Sequence, residues 1–145
     1  DPIFIQSFDS ETLKSLRFEH KTRLRLIQLI GENQWRLSAT DFTYLKSKDG
    51  MKEVSQYADG IGPWMDQVVT GIDFSGKIQI TDLVENARRY DLVIHPYTFR
   101  KDRLPSYVTS FEELLNVFFN EVQIDGIFTD FPDLVVEYLE KNAEN

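Results

Sequence analysis

Leu92-Val93-Ile94-His95-Pro96-Tyr97-Thr98 is the stretch on which the fold turns. A short apolar run without polar alternation closes on a histidine, a proline and two hydroxyl side chains. Such a run is the pattern of a strand buried on both faces, as in a parallel sheet covered by helices. The same pattern recurs at Ile3 to Phe8, Leu24 to Ile30, Ala58 to Ile61 and Ile124 to Thr129, so five strands are predicted. Helical stretches lie between them. Asp9 or Ser10 is placed to cap a helix toward Phe18, and Ile80, Leu83, Val84 and Ala87 make an apolar stripe. Ser110 and Glu113 form an S-x-x-E capping box ahead of Leu114, Leu115, Phe118 and Phe119. Pro132 opens a closing helix through Leu134, Val135, Tyr138 and Leu139, and the polar tail Glu140 to Asn145 is expected to fray.

Repeated β-loop-α units call for parallel strands and right-handed crossovers. Two architectures satisfy that order: a five-stranded doubly wound sheet, or part of a (β/α)8 barrel, which takes about 250 residues when complete. The segments Ile30 to Lys48 and Gly62 to Lys77 are long for connections and carry Trp35, Phe42, Tyr44, Trp64 and Phe74, which marks them as ordered, functional loops.

The chain has 145 residues and a formal net charge of -8, with a pI near 4.7. Its field repels phosphate backbones and anionic lipid, so neither nucleic acid nor a membrane is an expected partner. Hydrophobic residues make up 41% and charged residues 28%, the composition of a globular chain, and one domain spanning 1–145 is expected. Without cysteine there is no disulfide framework and no thiolate chemistry. The start, Asp1-Pro2-Ile3, has neither methionine nor a signal-type segment, so a processed, truncated or excised piece is expected.

In either architecture chemistry sits at the carboxyl ends of the strands, and those ends are polar here: Gln6-Ser7-Phe8, Gln28, Asp59-Gly60-Ile61-Gly62-Pro63, His95-Pro96-Tyr97-Thr98 and Thr129-Asp130-Phe131-Pro132. Each also has a structural role open to it. Asp9 and Asp130 can cap helices, and Ser7 and Thr129 can bond to backbone. His95 stands evenly between an acid, base or phosphate donor and a neutral core histidine. His20 reads as a solvated surface residue. Arg100, Lys101 and Arg103 form a loop run able to meet an anion or simply to stay wet. The phosphate-loop, dinucleotide, zincin and nucleophile-elbow motifs are absent from the sequence. A response-regulator-like domain needs acidic residues after its first strand, where this chain has Gln6-Ser7-Phe8.

The ordered series Ile5-Gln6-Ser7-Phe8, Tyr57-Ala58-Asp59-Gly60-Ile61-Gly62-Pro63, Val93-Ile94-His95-Pro96-Tyr97-Thr98 and Asp125-Gly126-Ile127-Phe128-Thr129-Asp130-Phe131-Pro132-Asp133 resembles the carboxyl-terminal half of glycerophosphodiester phosphodiesterases of the periplasmic type. The resemblance runs over essentially the whole chain. It implies the C-terminal part of a TIM barrel, starting at about the fifth strand, of an enzyme that cleaves glycerophosphodiesters to glycerol 3-phosphate and an alcohol. It further implies a divalent cation, calcium or magnesium, in the full-length enzyme, and a periplasmic or secreted location. Ser7, Phe8, His95, Tyr97 and Thr98 would then line the substrate pocket, with Phe8 and Tyr97 as walls and Thr129 and Asp130 organising the closing turn.

The family's catalytic motifs belong to its amino-terminal half: a His-Arg pair, a Glu-x-Asp pair, a His-Asp pair and a Glu-x-Lys strand. None occurs here on a strand, so no catalytic residue and no metal ligand of this chain matches the family pattern. The chain is expected to be inactive alone and, with open sheet edges, to self-associate or to depend on the missing half. The alternative is a non-catalytic α/β module that binds a small phosphorylated or polyol ligand through Arg100, Lys101 and His95.

Overall fold

The computed structural model describes residues 3–143. Four strands, β1 (Phe4–Ser7), β2 (Arg25–Ile30), β3 (Gly60–Pro63) and β6 (Val93–Ile94), form one sheet in the order β1-β2-β3-β6. Every neighbouring pair is parallel, with Ile5 opposite Leu26, Gln28 opposite Ile61 and Gly60 opposite Val93. Sequential strands are therefore neighbours, as in a barrel wall, with no reversal of strand order inside the sheet. Helices α1 (Ser10–Lys14), α2 (Phe42–Leu45), α3 (Lys48–Tyr57), α4 (Asp82–Arg88), α5 (Phe111–Asn116) and α6 (Pro132–Ala143) fill the connections. Among the described residues no helix is long and apolar enough to cross a membrane.

Alternation along the strands divides the sheet into two faces. Leu26, Ile30, Ile61 and Ile94 are buried in one cluster with Leu13, Val54, Tyr57, Leu83, Leu114 and Phe118 of the helical layer. Ile27 is equally buried but lies outside that cluster. Its side chain, with Leu29 and Val93, covers the other face over Gly60 and Gly62. A Cβ on Gly60 would stand 2.5 Å from Val93 O and 2.8 Å from Ile27 Cδ1, and one on Gly62 would stand 2.6 Å from Leu29 Cδ2. Glycine is what allows β3 to lie under its neighbours' side chains.

The helix starts follow their caps. The Asp9 carboxylate accepts from Thr12 N at 3.0 Å, Ser47 Oγ from Gly50 N at 3.1 Å and Ser110 Oγ from Glu113 N at 3.0 Å. The expected Ser110 box closes one residue early: the Glu113 carboxylate accepts from Thr109 N at 2.7 Å and from the Thr109 hydroxyl. Of the predicted stripe, Leu83, Val84 and Ala87 are buried, but Ile80 belongs to a strand and is exposed. The closing helix continues through Ala143, past the expected fraying point at Glu140. The remainder of that tail lies outside the described residues.

Two further expectations are corrected. The run Ile124 to Thr129 is not a fifth ladder strand. It follows β6 through Asp125 N to Ile94 O, Phe128 N to Pro96 O and Phe99 N to Phe128 O. The Asp125 carboxylate accepts the Ile94 N–H at 2.9 Å, replacing a backbone carbonyl where the ladder would begin. The Gly62 to Lys77 loop, for its part, contains β4 (Val69–Ile72), which pairs with β5 (Ile78–Ile80) as an antiparallel hairpin. Its turn is closed by the Asp73 carboxylate, which accepts from Ser75 N at 2.8 Å and Lys77 N at 3.0 Å, with Gly76 at φ +84°.

Gly60→Ala tests the packing over β3. The methyl group has no space, so a loss of about 1–3 kcal/mol in stability is expected, read as a lower urea midpoint. An unchanged midpoint would show that the sheet relaxes around it.

Candidate functional site

The carboxyl ends of β1, β2, β3 and β6 open on one rim, and two groups of aromatic side chains form there. Phe8, just past β1, meets Tyr97 edge-on at 5.8 Å and Phe42 at 6.1 Å between ring centroids. The Tyr97 hydroxyl donates to Ile30 O at 2.7 Å, pinning the loop after β6 to the end of β2. Burial pushes this phenol well above its ordinary range, so it stays protonated. Trp64 follows β3, bridges to Tyr97 in parallel register and packs edge-on against Trp35 at 5.3 Å. Thr98 is exposed beside them and lines the same cavity of roughly 450 Å³.

His95 occupies a different place. Val93 and His95 share the face opposite Ile94, so the imidazole points over the glycines of β3. It meets the ring of Phe4 edge-on at 5.0 Å and that of Phe128 at 6.3 Å. Gly126 leaves room for it, since a Cβ there would stand 3.0 Å from His95 Cδ2. Burial lowers the His95 pKa, Asp125 acts to raise it and Arg25 to lower it, with the net direction downward. The ring is therefore neutral at pH 7. Of the five expected pocket residues, Phe8, Tyr97 and Thr98 gather at the rim and His95 sits deeper on the same side of the sheet. Ser7 is used locally: its Oγ accepts from Asp9 N at 3.0 Å where α1 begins.

Several other polar candidates are committed to structure. Gln28 turns toward the helices, accepts from the Tyr57 hydroxyl at 2.8 Å and donates to Phe8 O at 3.0 Å. Arg100 is held by Asp102 through Nε at 3.0 Å, and it also pairs with Asp130. Lys101 lies 5.1 Å from the Phe131 ring centre. His20 is exposed, as expected. The Thr129 hydroxyl donates to Phe99 O at 2.8 Å and accepts from Phe131 N at 3.0 Å, so it does organise the closing turn.

The sequence reading missed a half-buried polar knot just past the ends of β2 and β3. Lys46 Nζ lies 2.8 Å from Glu32 Oε1, and Gln67 Nε2 donates to Glu32 Oε1 at 2.6 Å and to Gly31 O at 2.9 Å. Gln67 Oε1 accepts from Trp64 N at 3.0 Å. Burial raises the Glu32 pKa, but Lys46 and Gln67 together bring it below the ordinary glutamate value of 4.5. No spacing pattern joins these residues, so only the fold could show the knot.

Among the described residues no group of three or more His, Cys, Asp or Glu side chains could hold a metal ion. The donor set of the described residues does not fit a divalent cation.

A parallel α/β wall with its polar groups collected at the strand carboxyl ends defines the class: part of a TIM-type barrel with a rim site. Residues 1–134 match the Glycerophosphoryl diester phosphodiesterase family, and the chain belongs to it. It is 32% identical over 154 residues to a glycerophosphodiester phosphodiesterase of Haemophilus influenzae, a match covering 96% of this chain and 42% of that one. With the glycerophosphodiester phosphodiesterase of Treponema pallidum it shares 27% over 158 residues, covering 99% of this chain and 44% of that one. The chain thus spans less than half the length of these curated relatives. A crystal structure from Silicibacter pomeroyi DSS-3, provisionally assigned as a glycerophosphoryl diester phosphodiesterase, matches the fold. Its TM-score is 0.58 at 18% identity, and the match covers 97% of this chain and 38% of that one.

Glu32 sets a pH dependence. Its lowered pKa means that its contribution to stability is present above pH 4.5 and is lost as the pH falls through the folded-state value. Urea midpoints measured at neutral pH and well below 4.5 should converge in Glu32→Gln relative to the unaltered chain; an identical acid-side drop in both would remove Glu32 from the account.

Proposed function

We propose that this chain forms the substrate-wall part of a glycerophosphodiester phosphodiesterase, which hydrolyses glycerophosphodiesters to glycerol 3-phosphate and an alcohol. The observation that carries the proposal is the single rim on which Phe8, Tyr97, Thr98 and, deeper, His95 converge in a chain of this family. Phosphodiester hydrolysis needs charge stabilisation on the phosphoryl oxygens and a proton for the leaving alkoxide. The described residues contain no carboxylate cluster for the first task. The one histidine on the sheet face, His95, is held neutral among aromatic rings.

The division of labour we infer is therefore positional. The aromatic walls exclude water and fix the orientation of the substrate, while the acid, base and cation-binding groups come from an amino-terminal half of the barrel. Calcium or magnesium would be bound there. Among the described residues β1 is an open edge of the sheet, and an unpaired parallel edge invites another chain. The partner we assign to it is that half, with self-association as the substitute when it is absent.

Release of glycerol 3-phosphate from glycerophosphocholine tests the proposal, with calcium or magnesium present. None is expected from the chain alone, and turnover is expected on mixing it with a separately made amino-terminal half of a family enzyme. Turnover by the chain alone would place the catalytic groups here; saturable binding of glycerol 3-phosphate without turnover in the mixture would favour a ligand-binding module.

In the active mixture His95→Ala should lower turnover by roughly one to two orders of magnitude, the scale of a misplaced substrate. Unchanged turnover would remove His95 from the site.

A further inference from the structure

Gln67 is buried, and its side chain ties together two loops beyond the last ladder pair of β2 and β3, Ile30 opposite Pro63. Its Nε2 donates to Gly31 O at 2.9 Å and to Glu32 Oε1 at 2.6 Å, both just past β2. Its Oε1 accepts from Trp64 N at 3.0 Å, just past β3. The Glu32 carboxylate is in turn gripped by Lys46 at the end of α2, at 2.8 and 2.9 Å through its two oxygens. An amide donor that meets an ionised acceptor makes a shorter and stronger bond than a neutral pair.

From Trp64 the linkage runs on to a third loop. Met65 N donates to Tyr97 O at 2.9 Å, and Tyr97 N donates to Pro63 O at 3.0 Å, one bond on each side of Trp64. The Tyr97 hydroxyl returns to Ile30 O at 2.7 Å. A circuit from Gly31 through Gln67, Trp64 and Tyr97 back to Ile30 is thereby closed, with Gln67 joining the first loop to the second. Trp64 and Tyr97 line the rim cavity of roughly 450 Å³. The core beneath is held by other means, since Ile30, Ile61, Met65 and Ile94 are buried together in the apolar cluster. The bonds of Gln67 therefore act on the rim rather than on the sheet.

We propose that Gln67 is a positioning residue: anchored by Glu32, its amide sets the loop after β3 against the loop after β2, and so fixes the Tyr97 ring where substrate meets it. The inference rests on the phosphodiesterase reading for the substrate, and it adds a buried residue that acts through Trp64 and Tyr97.

Gln67→Met keeps the length of the side chain and removes its bonds to Gly31, Glu32 and Trp64. Mixed with the amino-terminal half, this variant should raise KM for glycerophosphocholine about tenfold and leave kcat within about threefold, since a displaced wall costs binding while the reacting groups lie in the other half. In the altered chain alone, amide exchange should quicken at Met65 and Tyr97, whose own acceptors are untouched. It should stay unchanged at Leu26 and Ile94, which Asp59 and Asp125 hold. Where Gln67→Met does not fold, Gln67→Glu takes its place, keeping the acceptor for Trp64 N and setting a carboxylate against Glu32. Adding Glu32→Gln to it supplies a donor again and should lower KM by about threefold or more, the mark of direct coupling between the two positions. An unchanged KM, a loss confined to kcat, no recovery in the double variant, or exchange that quickens equally at Leu26 and Ile94 overturns the assignment. If the unaltered mixture gives no turnover, the phosphodiesterase reading falls, and the exchange pattern alone decides whether Gln67 sets the rim.

Discussion

A side chain at Gly60 or Gly62 would collide with those of the neighbouring strands, and that close approach governs the rest of the structure. With β3 stripped to backbone on one face, Ile27, Leu29 and Val93 fold over it. The rings of Phe4 and His95, on opposite edges of the sheet, then come within 5.0 Å of each other. A wall that folds its edge residues together over a bare central strand is concave, and concavity is what places the strand ends on a common rim.

The bottom of the sheet is fixed by a matching device at two Asp-Gly-Ile sequences. Asp59, ahead of Gly60, accepts from Leu26 N at 2.8 Å while its own N–H donates to Leu26 O. Asp125, ahead of Gly126, does the same with Ile94. Each carboxylate satisfies the amide of a strand's second residue, and each glycine lets the next residues pack tightly. Arg17 caps the first clamp, with its guanidinium 2.7 Å from the Asp59 carboxylate and also donating to Tyr57 O at 3.0 Å. The first clamp ties helix to strand and strand to strand, and the second ties the closing segment to β6.

Those clamps also explain what was legible in the sequence. The parallel strands through Ile5, Ile27 and Ile94, and the helix starts at Asp9, Ser110 and Pro132, are local signals and could be read directly. The final run has strand composition, but its first ladder bond comes from the Asp125 side chain, which no periodicity reveals. The hairpin after β3 depends on Asp73 and Gly76 inside a stretch that reads as one long loop. At the rim, the positions of Tyr97 and Phe8 were legible because both follow the ends of apolar strands; their contact with substrate belongs to the proposal. The Glu32–Lys46–Gln67 knot was not, because its members lie 14 and 35 residues from Glu32. Ser7 was legible in position only: the hydroxyl faces its own turn.

In the function we propose, β1 and the concave face are completed by an amino-terminal half of the barrel. Amide hydrogen exchange across Phe4–Ser7, followed with the chain alone and after mixing with that half, tests it directly. Slower exchange at the β1 amides and around His95 in the mixture is predicted, with the helical layer unchanged. Identical exchange at β1 in both samples would contradict the account, because the open edge would then have gained no partner.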